Sequence, residues 1–257
     1  MDFCCIMQGG ISVNKQAYGN EPVTSRIIRK DFINDYGPVL TENGFVKKRN
    51  TFFRVHDGVF LYVALVFFSS EWTVTFAAYP FSQGYEDMKG HDGYRVSSLI
   101  SDMKRRNNER STLDSSDRSE ENYQYIREQY RKAFFERAFP EFNKVTNIDA
   151  YIDYCAWRDG ITGMSNDQAY WAFVHFQQLD YEKGAQCLGR HITEMAKTYQ
   201  KRLSKKYFGA FEKEYEMCVR FLEQLQNGDT SGIDDYINSQ VEITKNTLSG
   251  IGLIIQN

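Results

Sequence analysis

The sequence is poor in residues that usually carry chemistry. Four histidines are the whole supply in 257 residues, and no P-loop, G-x-G-x-x-G, G-x-S-x-G elbow or H-E-x-x-H motif occurs. Five cysteines, Cys4, Cys5, Cys155, Cys187 and Cys218, are odd in number and show no C-x-x-C or Cys/His ligand spacing. That excludes a disulfide framework and a zinc site, and points to reduced thiols in a cytoplasm. No apolar run approaches membrane-spanning length. No large charge of either sign is present: the net charge is -3, so an extended nucleic-acid or anionic-membrane surface has no global electrostatic basis.

What is abundant is apolar and aromatic material. Hydrophobic residues make up 42% of the chain and aromatics 15%, enough to fill a sizeable core. The start, "MDFCCIMQGGISV", has Asp2 where a secretory signal has cations, and Gln8, Gly9 and Gly10 break its apolar run. Residues 1–23 therefore read as a flexible leader. Adjacent Cys4 and Cys5 read as small apolar residues rather than acylation sites.

From Thr24 to Asn43, Ile27, Ile28, Phe32, Ile33, Tyr36, Val39 and Leu40 recur at helical spacing, with Thr24 or Ser25 as cap and Gly44 as terminator. Pro38 predicts a kink or break near Tyr36 and Gly37. "NTFFRV", "HDG" and "VFLYVALVFF" then form a hairpin signal, and a turn at Ser69 to Glu71 leads into "WTVTFAAY". Three antiparallel strands are expected. The run Val59 to Phe68 has no polar residue, so it is expected at the centre with both faces covered.

Lys47, Lys48 and Arg49 fall between the helix terminus and the first of these strands. There they complement the negative end of the helix dipole and keep a sheet edge soluble. A phosphate site would use a helix N-terminus and a glycine-rich turn, and neither is present.

Gly44, Phe45, Lys47, Lys48, Asn50, Phe52 and Arg54 spell a GF-x-K-K-x-N-x-F-x-R core followed by strands. This resembles the bacterial domain-of-unknown-function 4304 family, over Asp31 to about Pro80. The resemblance implies a bacterial source and an α/β fold; the family offers no activity or catalytic residues to carry over.

Residues 83–93 have loop composition, and residues 101–122 read as a charged loop in which cations and anions cancel. Helical patterning resumes at Tyr123 and continues to about Leu248. It includes a helical hairpin turning near Asp180, without the periodic copies that a repeat array needs. The whole is expected as an α/β (α+β) protein: residues 24–100 form a helix on a small antiparallel sheet, and a helical portion, 123–257, packs against it.

Among candidate sites, His56-Asp57 and His91-Asp92 each run into Gly, which is turn chemistry first. His175 and His191 read as hydrogen-bonded helix residues, and Cys155 and Cys187 as inert buried thiols. No metal site and no cofactor are expected. The seventeen tyrosines and nineteen phenylalanines exceed what a three-stranded sheet can hide, so some are expected in a groove or interface. The favoured reading is a cytoplasmic, non-enzymatic binding protein whose partner is another protein, an immunity or accessory factor; homo-oligomers stay open. One alternative is an enzyme using His91, Asp92 and Arg95. The other is nucleic-acid binding through Lys47, Lys48, Arg49, Arg54 and surface aromatics, with Trp72 among the binding candidates.

Overall fold

The structure, a computed structural model, describes residues 22–69, 71–85, 94–106, 113–162, 168–202 and 209–253. Helix α1 (Ser25–Glu42) starts where the Thr24 hydroxyl accepts the Ile27 amide, and ends before Gly44, which takes the left-handed φ of 81°. Ile28, Phe32, Tyr36 and Leu40, four residues apart, are its buried face. Of the kink or break expected near Tyr36 and Gly37, the break does not occur. Tyr36 and Leu40 are packed on either side of an exposed Pro38, and this tertiary anchoring outweighs the single lost amide donor.

The sheet is a meander of strands β1 (Val46–Lys48), β2 (Thr51–His56), β3 (Val59–Phe68), β4 (Glu71–Pro80) and β5 (Tyr94–Arg95), all antiparallel and in sequence order. The three expected strands are β2 to β4. Asp57 and Gly58, the latter at φ 69°, turn β2 into β3 so that His56 faces Val59, and Phe68 faces Glu71 across the next turn. Along β3, Val59, Leu61, Val63 and Leu65 enter the main core with α1. Phe60, Tyr62, Ala64 and Val66 enter a second core on the other face. Both faces of the apolar strand are covered, as its lack of polar residues implied.

After β5 come α2 (Val96–Arg106), α3 (Glu120–Ala133), a π-helical turn (Phe134–Ala138), α4 (Phe139–Phe142) and α5 (Ile148–Thr162). These extend the main core. Residues 101–106, expected in the charged loop, are the end of α2. Helices α6 (Gln168–Gln177) and α7 (Tyr181–Arg202) form the expected hairpin, followed by α8 (Gly209–Gln226) and α9 (Ser231–Gly250). Ala172, Phe176, Leu188, Cys218, Phe221 and Ile233 build a third core there.

Helix α9 ties the helical part to the sheet. Its Ile233 and Ile237 lie in the helical core, its Leu248 in the second sheet core, and its buried Thr244 hydroxyl donates to Phe81 O at 2.9 Å. Gln177 adds a second tie, donating to Gly58 O and accepting from Ser82 N, both at 2.8 Å. Among the described residues much of the aromatic surplus is spent inside. Phe134 alone stacks within 5.6 Å of Tyr36, Phe135, Phe76 and Phe139, and Tyr125 is the one aromatic among the large apolar residues that are exposed within the described residues. Among the described residues no helix is long and apolar enough to cross a membrane.

Candidate functional site

Lys47 and Lys48 are not a joint before the sheet but part of it, facing Phe52 and Thr51 across the edge strand β1. Three residues are too few for a strand to announce itself by alternation. Arg49 follows in the two-residue turn at φ 57°. Lys48 Nζ stands 3.0 Å from the point that a Cβ on Gly252 would occupy, directly beyond α9. That helix has no cation in its own last turn, and Lys48 lies beside its end, where a positive charge complements the helix dipole. Lys47 and Arg49 are exposed.

Arg54 is 8% exposed and lies in the interior. Its guanidinium donates to Asn43 O, Asn143 Oδ1 and O, and Val145 O, and rests 4.7 Å over the Phe45 ring. Burial without a carboxylate beside it lowers its pKa to about 10. On the same strand, burial and then the Arg54 charge push the His56 imidazole below its ordinary value, and His56 Nε2 is buried without a hydrogen-bond partner among the described residues. Trp72, at 4% exposure, packs edge-on to Tyr130 and against Tyr123 in the main core. Neither Arg54 nor Trp72 presents a binding surface.

His91 and Asp92 lie outside the described residues. Arg95 ends β5, and its guanidinium covers the Phe68 ring at 4.1 Å. His175 Nδ1 is 3.2 Å from Gln178 Oε1, and His191 Nε2 is 3.4 Å from Glu214 Oε1, so the two histidines serve separate contacts. Cys155 and Cys218 are buried and Cys187 half-buried, its thiol pKa raised by that burial. Among the described residues no three His, Cys, Asp or Glu side chains come together as a metal cluster.

What the fold does assemble is a corner at the β3–β4 turn. Phe67 and Phe68 end β3 half-exposed, and Ser69 takes φ 50° to begin the turn. Being adjacent, the two rings point to opposite faces of the sheet. Arg29 of α1 lies 5.1 Å and Arg118, just before α3, 5.9 Å from the Phe67 ring, while Arg95 caps Phe68. Arg118 also joins the segments leading into α1 and α3. It donates to Ser25 Oγ at 3.3 Å, and its carbonyl accepts from Val23 N at 2.8 Å.

Arg26, Arg29 and Lys30 crowd the first half of α1, whose first turn holds no acidic residue. A helix start disfavours cations there. The neighbouring cation of α3, Arg127, is consumed by Asp35 and Asp31 at 2.6 and 3.0 Å; Arg29 and Arg95 are in no ion pair among the described residues. A guanidinium laid on a ring keeps its in-plane N–H edge for carboxylate or phosphate. Sequence reasoning named Arg95 for a different purpose and missed Arg29, Arg118, Phe67 and Phe68. The one available signal was the cation-rich, acid-free start of α1.

Comparison with protein-family models, with curated proteins and with solved structures gives no match to this chain.

Proposed function

We propose that this chain is a non-enzymatic binding module whose partner is another protein, in the manner of an accessory or immunity factor. The carrying observation is the corner itself: two adjacent, half-exposed phenylalanines at a turn, flanked by Arg29 of α1, Arg95 of β5 and Arg118 of the segment before α3. Aromatic and arginine side chains are the types most enriched at the energetic centres of protein interfaces.

The rival readings have less to stand on. Of the proposed catalytic group, Arg95 is the described member, and its guanidinium lies over the Phe68 ring. Of the proposed nucleic-acid contacts, Arg54 is interior and Lys48 sits at the end of α9, which leaves Lys47 and Arg49 at one short edge. Two cations make a poor track for a phosphate backbone. A cytoplasmic placement accords with free thiols at Cys155, Cys187 and Cys218. The bacterial source rests on the resemblance to the domain-of-unknown-function 4304 family.

A photo-crosslinking residue placed at exposed Glu71, beside the corner, tests the reading in cells that express the chain natively. The expected result is a covalent adduct with one defined protein, absent when the crosslinker replaces Arg49. Adducts from Arg49 alone, or none from either position, would overturn it.

A further inference from the structure

We infer that the Arg29–Phe67 and Arg95–Phe68 pairs form a two-sided receptor for an acidic segment of the partner, one that offers at least two carboxylates. The inference rests on the protein-binding reading above and adds the chemistry of the partner.

Three considerations carry it. First, each ring already has a guanidinium on it, Arg29 at 5.1 Å and Arg95 at 4.1 Å, so the aromatic faces are occupied and nucleobases have no open platform to stack on. What such a pair presents outward is the N–H fork, which matches a planar carboxylate. Second, Arg29 and Arg95 are in no ion pair among the described residues. Glu71, facing Phe68 across the turn, offsets part of their charge; Arg26 and Lys30 on α1 add to it. A positive corner on a chain of net charge -3 gives an acidic partner a place to land and steers it there. Third, Phe67 and Phe68 point to opposite faces of the sheet, so their arginines stand on opposite sides of it. One carboxylate does not bridge them, and the ligand must wrap the turn with spaced acidic residues.

The test uses the full chain and a fluorescent Asp-Gly repeat peptide, with the Asn-Gly peptide and mixed-sequence single-stranded DNA as comparisons. Wild type is expected to bind the Asp-Gly peptide at low salt, progressively more weakly as salt rises, and to ignore the Asn-Gly peptide. Arg29→Gln and Arg95→Gln are each expected to weaken binding about tenfold, the scale of one charge-assisted pair, and together to abolish it. Both residues are exposed, so circular dichroism of the variants should match wild type. Lys47→Gln with Arg49→Gln should bind as wild type does. No binding of the Asp-Gly peptide at low salt, equal binding by the double variant, or DNA binding that the double variant loses would overturn the inference. The two readings fail separately. A Glu71 crosslink that persists in Arg29→Gln/Arg95→Gln removes the acidic-segment inference and leaves protein binding standing, whereas no crosslink in wild type removes protein binding itself.

Discussion

The guanidinium of Arg54 holds Asn143, 89 positions further along the chain, by side chain and main chain together: Nη1 lies 2.5 Å from Oδ1 and Nη2 2.9 Å from O. Asn143 in turn donates from Nδ2 to Asn43 Oδ1 at 2.9 Å, so one interior cation joins the end of α1, strand β2 and the segment after α4. Among the described residues no carboxylate pairs with the charge, which is balanced by oxygen dipoles and the face of the Phe45 ring. Replacing it with Met would strand the carbonyls of Asn43, Asn143 and Val145 without a donor. Lys cannot span three such acceptors with a fork.

Arg54→Met is therefore expected to lower stability by about 2–4 kcal/mol, and Arg54→Lys by somewhat less. Urea titration followed by tryptophan fluorescence measures both. A loss below about 1 kcal/mol in either variant would mean that the knot is ornamental to the fold.

His56 predicts a pH dependence of definite sign. Burial, then the Arg54 charge, depresses its folded pKa below the ordinary 6.5, so the folded state favours the neutral ring. The unfolded chain takes up a proton first as pH falls. The stabilising contribution is complete above about pH 6.5 and drains away as pH drops below that value toward the folded pKa. Urea midpoints from pH 7.5 to 5 should fall for wild type and fall less for His56→Gln. Parallel curves would place the titrating group elsewhere.

The large elements were legible because their patterns were long. Helix α1 shows seven apolar residues at helical spacing, and β3 runs ten residues without a polar side chain. Strands β1 and β5 were not legible, since three and two residues carry no periodicity. Their pairing is decided by β2 and β4, which they flank. Residues 101–106 look like loop because charged residues dominate, yet they continue a helix that Val96, Leu99 and Ile100 anchor in the core. The corner was hidden for a different reason. Arg29 lies on α1, Arg95 on β5 and Arg118 just before α3, and only the meander with α1 and α3 on one face brings them to the same turn.

Helix α7 holds two glycines with opposite expectations. A Cβ on Gly184 would stand 2.2 Å from Cε1 of Phe176, a ring buried in the helical core, whereas one on Gly189 meets nothing within 4 Å. Alanine gains roughly 1 kcal/mol over glycine from helix propensity at either position. At Gly184 the overlap cannot be relieved by a flexible chain end, and overpacking of this kind costs about 1–3 kcal/mol or more. Gly184→Ala should be destabilised and Gly189→Ala stabilised by about 0.5–1 kcal/mol. Thermal unfolding of the two single variants reads the difference, and equal shifts would contradict the close approach of α7 to α6.

The cations of β1 give the last prediction. Lys47 and Arg49 are exposed, and Lys48 meets the end of α9. Exposed charges contribute little, and one cation at a helix C-terminus is worth about 0.3–1 kcal/mol. Changing Lys47, Lys48 and Arg49 together to Gln should therefore cost about 1 kcal/mol, nearly all of it reproduced by Lys48→Gln alone. Were the three gripping phosphates, the same change would weaken nucleic-acid binding and reduce the salt slope by about three, near one per lost contact. Fluorescence titration against mixed-sequence DNA and RNA at two salt concentrations separates the cases. Negligible binding by both proteins at physiological salt is expected, because the edge offers two free cations and no aromatic platform. Tight binding by wild type that the triple variant loses would return these residues to a nucleic-acid role and move the functional surface from the β3–β4 corner to the β1 edge of the sheet.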